Sequence, residues 1–240
     1  MGWNITNSKV LEEAVLELRF MLARKIEVRR GMTVVDMGCG QGGFTVSLAR
    51  IVGKKGRVLA VDVSDEYLAE FMENLIKWKV ESIVTFIHAD ASDLGDIILD
   101  GFADLVASYR FLEELNKPSD MARIVKEMAR IVKKSGKVCI IELSTEAKNQ
   151  AEENYIRLHR ESGDSFFKPD EILRAMKEAK LRNLHMETFS TQIWFSPEIA
   201  KQELSLAQVW FTEDEEKRLG PNINRYGMKY PQLLTFSGIK

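Results

Sequence analysis

The stretch Val34-Val35-Asp36-Met37-Gly38-Cys39-Gly40-Gln41-Gly42-Gly43-Phe44 decides how the rest of the chain is read, because an apolar run ends there in an acid and four closely spaced glycines. Such a run predicts a buried strand. Glycines let a backbone take positive φ and let a ligand approach the main chain without meeting a Cβ. The residues that follow, Phe44-Thr45-Val46-Ser47-Leu48-Ala49, read as a helix. Strand, glycine loop and helix N-terminus together make a nucleotide-type site.

The same plan repeats downstream. Residues 57–61 form a second apolar run closing on Asp62, and residues 83–87 a third that leads into His88-Ala89-Asp90-Ala91-Ser92. A fourth run, residues 103–107, delivers Ser108-Tyr109-Arg110, and residues 137–143 make a fifth. Helical stripes lie between them: Tyr67, Leu68, Phe71, Met72, Leu75 and Ile76 after a cap at Ser64, then Met121, Ile124, Val125, Met128 and Val132 after Pro118, stopping at Ser135-Gly136. Upstream, Asn7 or Ser8 caps a helix whose apolar face carries Val10, Leu11, Ala14, Val15, Leu18, Met21 and Leu22. Five such cycles predict one α/β domain over residues 1–240 with a doubly wound, mainly parallel sheet. The second half is less regular. It reads as helices over 144–160 and 169–179, a strand over 184–195, a helix start at Ser196-Pro197-Glu198, a capping box at Thr212 opening a helix ended by Gly220-Pro221, and a last strand over 233–239.

Composition narrows the partners. The 34 basic and 36 acidic residues are interspersed, so no footprint for nucleic acid or an anionic membrane is expected. No apolar stretch approaches membrane-spanning length, and the opening residues lack a signal-peptide core, so Asn4-Ile5-Thr6 reads as a chance sequon. Cys39 and Cys139 sit in or beside apolar runs and read as buried small hydrophobes rather than a disulfide, which suits a reducing cytoplasm.

The glycines leave the ligand open. Gly38, Gly40 and Gly43 satisfy G-x-G-x-x-G, and Asp62 lies at the separation expected of a ribose-binding acid in a dinucleotide site. Asp36 argues the other way, because an anion beside the loop repels a pyrophosphate. S-adenosylmethionine carries a sulfonium, an ammonium and a single carboxylate, so an acid there becomes favourable.

Asp36, Gly38, Gly40 and Gly42 match the acid-x-G-x-G-x-G motif, and the chain here resembles the class I S-adenosylmethionine-dependent methyltransferases of small-molecule type. The resemblance covers residues 32–143. It implies a Rossmann-like, seven-stranded sheet whose last strand is antiparallel. It also implies S-adenosylmethionine as cofactor, with Asp62 on the ribose hydroxyls and Val63 beside the adenine. On the same grounds Asp90 meets the adenine amino group, the Ala91 N–H the ring, and Ser108 with Tyr109 the methionine part. Residues 1–30 then form an N-terminal helical cap, 31–143 the cofactor-binding core, and 144–240 the substrate side and sheet completion. Residues 102–115 resemble the strand-four region of small-molecule methyltransferases related to quinone biosynthesis.

Methyl transfer from a sulfonium is an in-line displacement with a neutral leaving group, so alignment and desolvation suffice, and no catalytic dyad is evident. Ala107-Ser108-Tyr109-Arg110 stands where methyltransferases of nucleic-acid bases carry Asn/Asp-Pro-Pro-aromatic, which argues against base methylation. Asp104 opens its strand, far from its carboxyl end, and His88, His159 and His185 lack ligand spacing, so no metal is expected. His159 lies on the side where this family receives substrate. Tyr109 reads as an aromatic lid, Arg110 as a local ion pair with Glu113 or Glu114, and Trp194, Trp210 and Phe211 as core. The expected function is methylation of a small molecule. The alternatives are a non-catalytic or partner-dependent S-adenosylmethionine-binding protein, and an RNA or protein methyltransferase.

Overall fold

The structure is a computed structural model and describes residues 3–5, 8–115, 117–161, 163–200 and 213–240. In chain order these build β1 (Trp3–Ile5), α1 (Ser8–Lys25), β2 (Thr33–Met37), α2 (Gly43–Val52), β3 (Arg57–Asp62), α3 (Leu68–Lys77), β4 (Val84–His88), β5 (Ala103–Tyr109), α4 (Pro118–Ile131) and β6 (Val132–Leu143). There follow α5 (Gln150–Glu161), α6 (Pro169–Glu178), β7 (Arg182–Phe189), β8 (Ile193–Phe195), α7 (Glu213–Tyr226), β9 (Met228–Lys229) and β10 (Leu233–Ile239).

Seven strands form one sheet in the order β4-β3-β2-β5-β6-β10-β7. The pairs from β4 to β6 are parallel. The last strand runs the other way: the Lys240 N–H donates to the Gly136 carbonyl, while the Ser144 N–H donates to the Gln232 carbonyl. The near-continuous apolar character of the central strands has its counterpart in burial. Val34, Val35, Met37, Leu105, Val106 and Ala107 are all inside, whereas β4 at one edge is half-exposed.

The chain divides into two compact units. The first comprises Arg19–Glu142, Phe167–Glu187 and Thr235–Lys240, and holds most of the large sheet. The second comprises the described residues of Met1–Leu18, Leu143–Phe166 and Thr188–Leu234. In it, β1 pairs parallel with β8, and β8 antiparallel with β9. There α5 packs on α7 and β9, tied by Asn154 Nδ2 donating to the Gly227 carbonyl (2.8 Å) and by the Lys229–Glu152 ion pair (2.7 Å).

Four elements depart from the sequence expectation. The helix expected from 144 begins only at Gln150: the Ser144 hydroxyl accepts from the Glu146 N–H and holds a turn, and the Asn149 side chain accepts from the Glu152 N–H and caps the helix there. The strand expected over 184–195 is two strands of different sheets, broken where Gln192 takes φ +55°. Pro221 lies inside α7, which continues to Tyr226 and stops at Gly227, with φ +65° and its N–H on the Ile223 carbonyl. Finally, α4 yields to β6 at Val132, ahead of Ser135-Gly136. Residues 197–200 are helical, as Ser196-Pro197-Glu198 implies; Asn7, Trp210, Phe211 and Thr212 lie outside the described residues.

Candidate S-adenosylmethionine site

The strand order places a switch point between β2 and β5, since the chain leaves β2 toward β3 on one side and returns through β5 on the other. Ligands of open α/β sheets bind at the carboxyl ends of such strands. Register brings the candidate residues to that one edge. Met37 pairs with Val61 and with Ser108, and Asp62 pairs with His88, two residues before Asp90.

The loop between β2 and α2 is pinned from below. The Gly38 and Cys39 N–H groups both donate to the Val61 carbonyl (2.9 and 3.0 Å), and the Gly42 N–H to the Cys39 carbonyl (2.9 Å). Gly38, Gly40 and Gly42 have φ of +71°, +46° and +79°. A Cβ at Gly38 would collide with the Phe111 ring, so that glycine is needed for packing as well as for its dihedral. At Gly40 a Cβ would meet nothing within 4 Å, so the space over the middle of the loop is open.

The acids differ in setting. Asp62 is part-buried and accepts from the Gly40 N–H (2.8 Å, Oδ2) and the Ser64 N–H (3.0 Å, Oδ1), which ties the end of β3 to the glycine loop. Asp90 is exposed; the Ser92 N–H on Oδ1 (2.7 Å) holds its carboxyl below the usual range. Asp36 is 1% exposed, with Thr45 Oγ1 donating to Oδ2 (2.6 Å) and Oδ1 buried without a hydrogen bond. Burial pushes Asp36 up to about 7, with Asp62 adding to the rise while the Thr45 bond and Arg19 oppose it. Val63 is 66% exposed beside the Asp62 turn, and Ala91 is buried. Ser108 is fully buried, its Oγ without a hydrogen bond among the described residues.

The wall after β5 is aromatic. Tyr109 stacks on Phe44 (centroids 5.2 Å, 25° between planes). Glu142 Oε1 accepts from the Phe111 and Leu112 N–H groups (3.2 and 3.0 Å), fixing the chain that sets Phe111 against Gly38. Burial and the neighbouring Glu113 raise the Glu142 carboxyl. Arg110 pairs locally with Glu113 (2.6 Å). Asp104 lies at the opposite end of β5, accepting from the Thr33 N–H (2.8 Å) and pairing with Lys133 (2.5 Å), a structural role. Each histidine has a local partner: the Val63 carbonyl for His88, Asp164 for His159 and Glu187 for His185. Cys39 and Cys139 are free and buried, their thiols pushed up by desolvation. Trp194 is half-exposed on β8 rather than in the core.

Sequence reasoning did not find Arg19, Thr45 or Phe111. Thr45 sits on an apolar helix run, where only its position over Asp36 makes it a donor; Arg19 and Phe111 have no motif to mark them.

Residues 35–140 match the protein family described as "Methyltransferase domain". Over these residues the chain is similar to methyltransferase domains. It is 32% identical over 117 residues to a ubiquinone/menaquinone biosynthesis C-methyltransferase of Azotobacter vinelandii, covering 49% of this chain and 44% of that one. To a demethylmenaquinone methyltransferase of Desulfitobacterium hafniense it is 33% identical over 121 residues, covering 50% and 45%. The chain thus spans about half the length of the curated relatives it matches. In fold it is similar to a cyclopropane-fatty-acyl-phospholipid synthase-like protein of Lactobacillus casei, with TM-score 0.75 and 18% identity over 100% of this chain and 96% of that one. Among the described residues, no helix is long and apolar enough to cross a membrane.

Proposed function

We propose that this protein is an enzyme that transfers the methyl group of S-adenosylmethionine to a small-molecule acceptor. The observation that carries the reading is the Asp62 carboxylate bound to the Gly40 N–H at the open centre of the glycine loop, with the unpartnered Oδ1 of Asp36 beneath. A ribose needs an acceptor for its hydroxyls. A cationic amino-acid end needs an anion, which a pyrophosphate would be repelled by. The groups present fit both needs of S-adenosylmethionine.

In this reading Asp62 holds the ribose, Val63 and Ala91 flank the adenine and Asp90 takes its amino group. Gly38, Gly40 and Gly42 admit the amino-acid end, and Ser108 faces it from β5. The cofactor supplies an activated methyl on a sulfonium; the chain aligns it and excludes water, and Tyr109 on Phe44 forms an apolar wall suited to that. The buried free thiols accord with a cytoplasmic enzyme. The relatives' names put a quinone-type ring first among acceptors to try.

Calorimetry should register S-adenosylmethionine and not NADH; preference for NADH would overturn the cofactor assignment. A metabolite screen read by S-adenosylhomocysteine release, begun with demethylated quinones, should give turnover. Binding without release to any acceptor would favour a non-catalytic S-adenosylmethionine-binding protein.

A further inference from the structure

The chain leaves β5 by a costly route. Arg110 takes φ +51°, a left-handed conformation rare for a residue with a long side chain, while its N–H donates to the Ile141 carbonyl (2.7 Å). Its guanidinium is matched by the buried Glu113 at 2.6 Å. Glu142, near the end of β6, is a second buried carboxyl, which desolvation and Glu113 hold above the ordinary carboxylate range. Burying two neighbouring acids and straining the backbone between them is unfavourable unless the fold needs what they hold. Glu142 holds the backbone of Phe111 and Leu112, whose N–H groups both donate to Oε1. The two residues so held differ. Leu112 is fully buried and serves packing, whereas Phe111 is only half-buried, its ring set so closely against Gly38 that no Cβ fits between them. A fixed ring with an uncovered part, beside the glycine loop at the carboxyl end of β5, is a surface for a ligand. All of these residues lie in the first compact unit.

With the amino-acid end of S-adenosylmethionine at Gly38, Gly40 and Gly42, the sulfonium lies a short chain further on. The methyl acceptor must reach that sulfur, so the ring that borders Gly38 borders the acceptor as well. An aromatic side chain held in one orientation favours a flat π partner through offset or edge contacts that come on top of apolar area. A saturated ring of the same size gains the area without those contacts. We infer that Phe111 is the residue that selects the methyl acceptor, favouring one with a flat aromatic ring, and that Glu142 is the positioning residue that sets the Phe111 ring for it. The inference rests on the cofactor reading above.

The test separates the two. Calorimetry is run in saturating S-adenosylhomocysteine, which fills the cofactor site without a methyl to give, with 2-naphthol and its saturated counterpart decahydro-2-naphthol as probes. Wild type should bind 2-naphthol roughly 3- to 10-fold more tightly, the range that ring-on-ring contact adds to area. Phe111→Leu should bind S-adenosylhomocysteine like wild type and take the two probes equally, and Phe111→Tyr should keep the preference. Glu142→Gln should keep it too, because the amide oxygen still accepts from both N–H groups, and Glu142→Leu should lose it. A Glu142 that only filled space would be replaced better by Leu than by Gln, so the reverse order marks positioning; a preference kept in Glu142→Leu or lost in Glu142→Gln would remove Glu142 from the account. Equal wild-type affinities, no affinity for either probe, a preference that survives in Phe111→Leu, or loss of S-adenosylhomocysteine binding in that variant would each overturn the selecting role of Phe111 and leave the cofactor reading intact. Failure of wild type to bind S-adenosylhomocysteine would overturn both.

Discussion

Asp36 concentrates the conflict between stability and binding in this site. Its carboxyl is fully buried with one hydrogen bond, so burial raises it to about 7 from the ordinary 3.8, and below that pH the folded protein holds a proton that the unfolded chain releases. The sign follows from linkage: the contribution to stability is fully present below the unfolded value and is lost as pH rises toward and through 7, on the order of 4 kcal/mol across the window. Asp36→Asn keeps the neutral shape and the Thr45 contact. The variant should match wild type in urea midpoint near pH 4 and exceed it near pH 8. A cation bound above the loop favours the ionised form, so S-adenosylmethionine should release a proton on binding to wild type and bind more tightly at pH 7 than at pH 6. Both effects should vanish, and affinity fall, in Asp36→Asn. Calorimetry in two buffers of different ionisation enthalpy measures the proton directly, and an identical proton count in the two proteins would contradict the assignment. Little of this was legible beforehand. The sequence marks Asp36 as an acid at a strand end, but not that Thr45 takes one oxygen and leaves the other idle.

At the scale of the element, the glycine loop separates packing from binding. Gly38 and Gly40 both have positive φ, yet a side chain at Gly38 runs into Phe111, which Glu142 holds from β6, while one at Gly40 enters open space. Gly38→Ala should therefore cost stability, about 1–3 kcal/mol from dihedral strain with a packing penalty added, seen as a lowered urea midpoint. Gly40→Ala should cost only the strain, and its main effect should be on S-adenosylmethionine affinity. Equal losses of affinity at equal stability would mean that the loop's centre is not where the ligand lies. Such elements were easy to read because a buried parallel strand, a turn of glycines and an amphipathic helix each leave a local pattern. The start of α5 and the end of α7 were not. Ser144 turns the chain by a side-chain bond that competes with helix, Asn149 caps the helix only from Gln150, and Gly220-Pro221 carries the usual stop signal in a helix that runs on to Tyr226.

For the molecule as a whole, the legible part was the first unit, where each strand is long enough to show its period. The second unit rests on β1, β8 and β9, of three, three and two residues, which exist only by pairing with chain far away in sequence. No local pattern can announce a two-residue strand. The candidate residues all fall in the first unit, so ligand linkage offers a test that reaches beyond any one contact. A ligand that binds only the folded state at a hundred times its dissociation constant adds about 2.7 kcal/mol. For a chain of this length that moves the thermal midpoint by roughly 5–10 °C. S-adenosylmethionine should produce such a shift in a calorimetric scan of the wild type. Asp62→Ala loses the ribose acceptor and frees the Gly40 and Ser64 N–H groups, so it should unfold as cooperatively as wild type without ligand yet show no shift at the same concentration. A full shift in Asp62→Ala would place the ribose elsewhere; a variant that has lost its transition altogether would make Asp62 a structural tie between β3 and the loop before it is a ligand for anything.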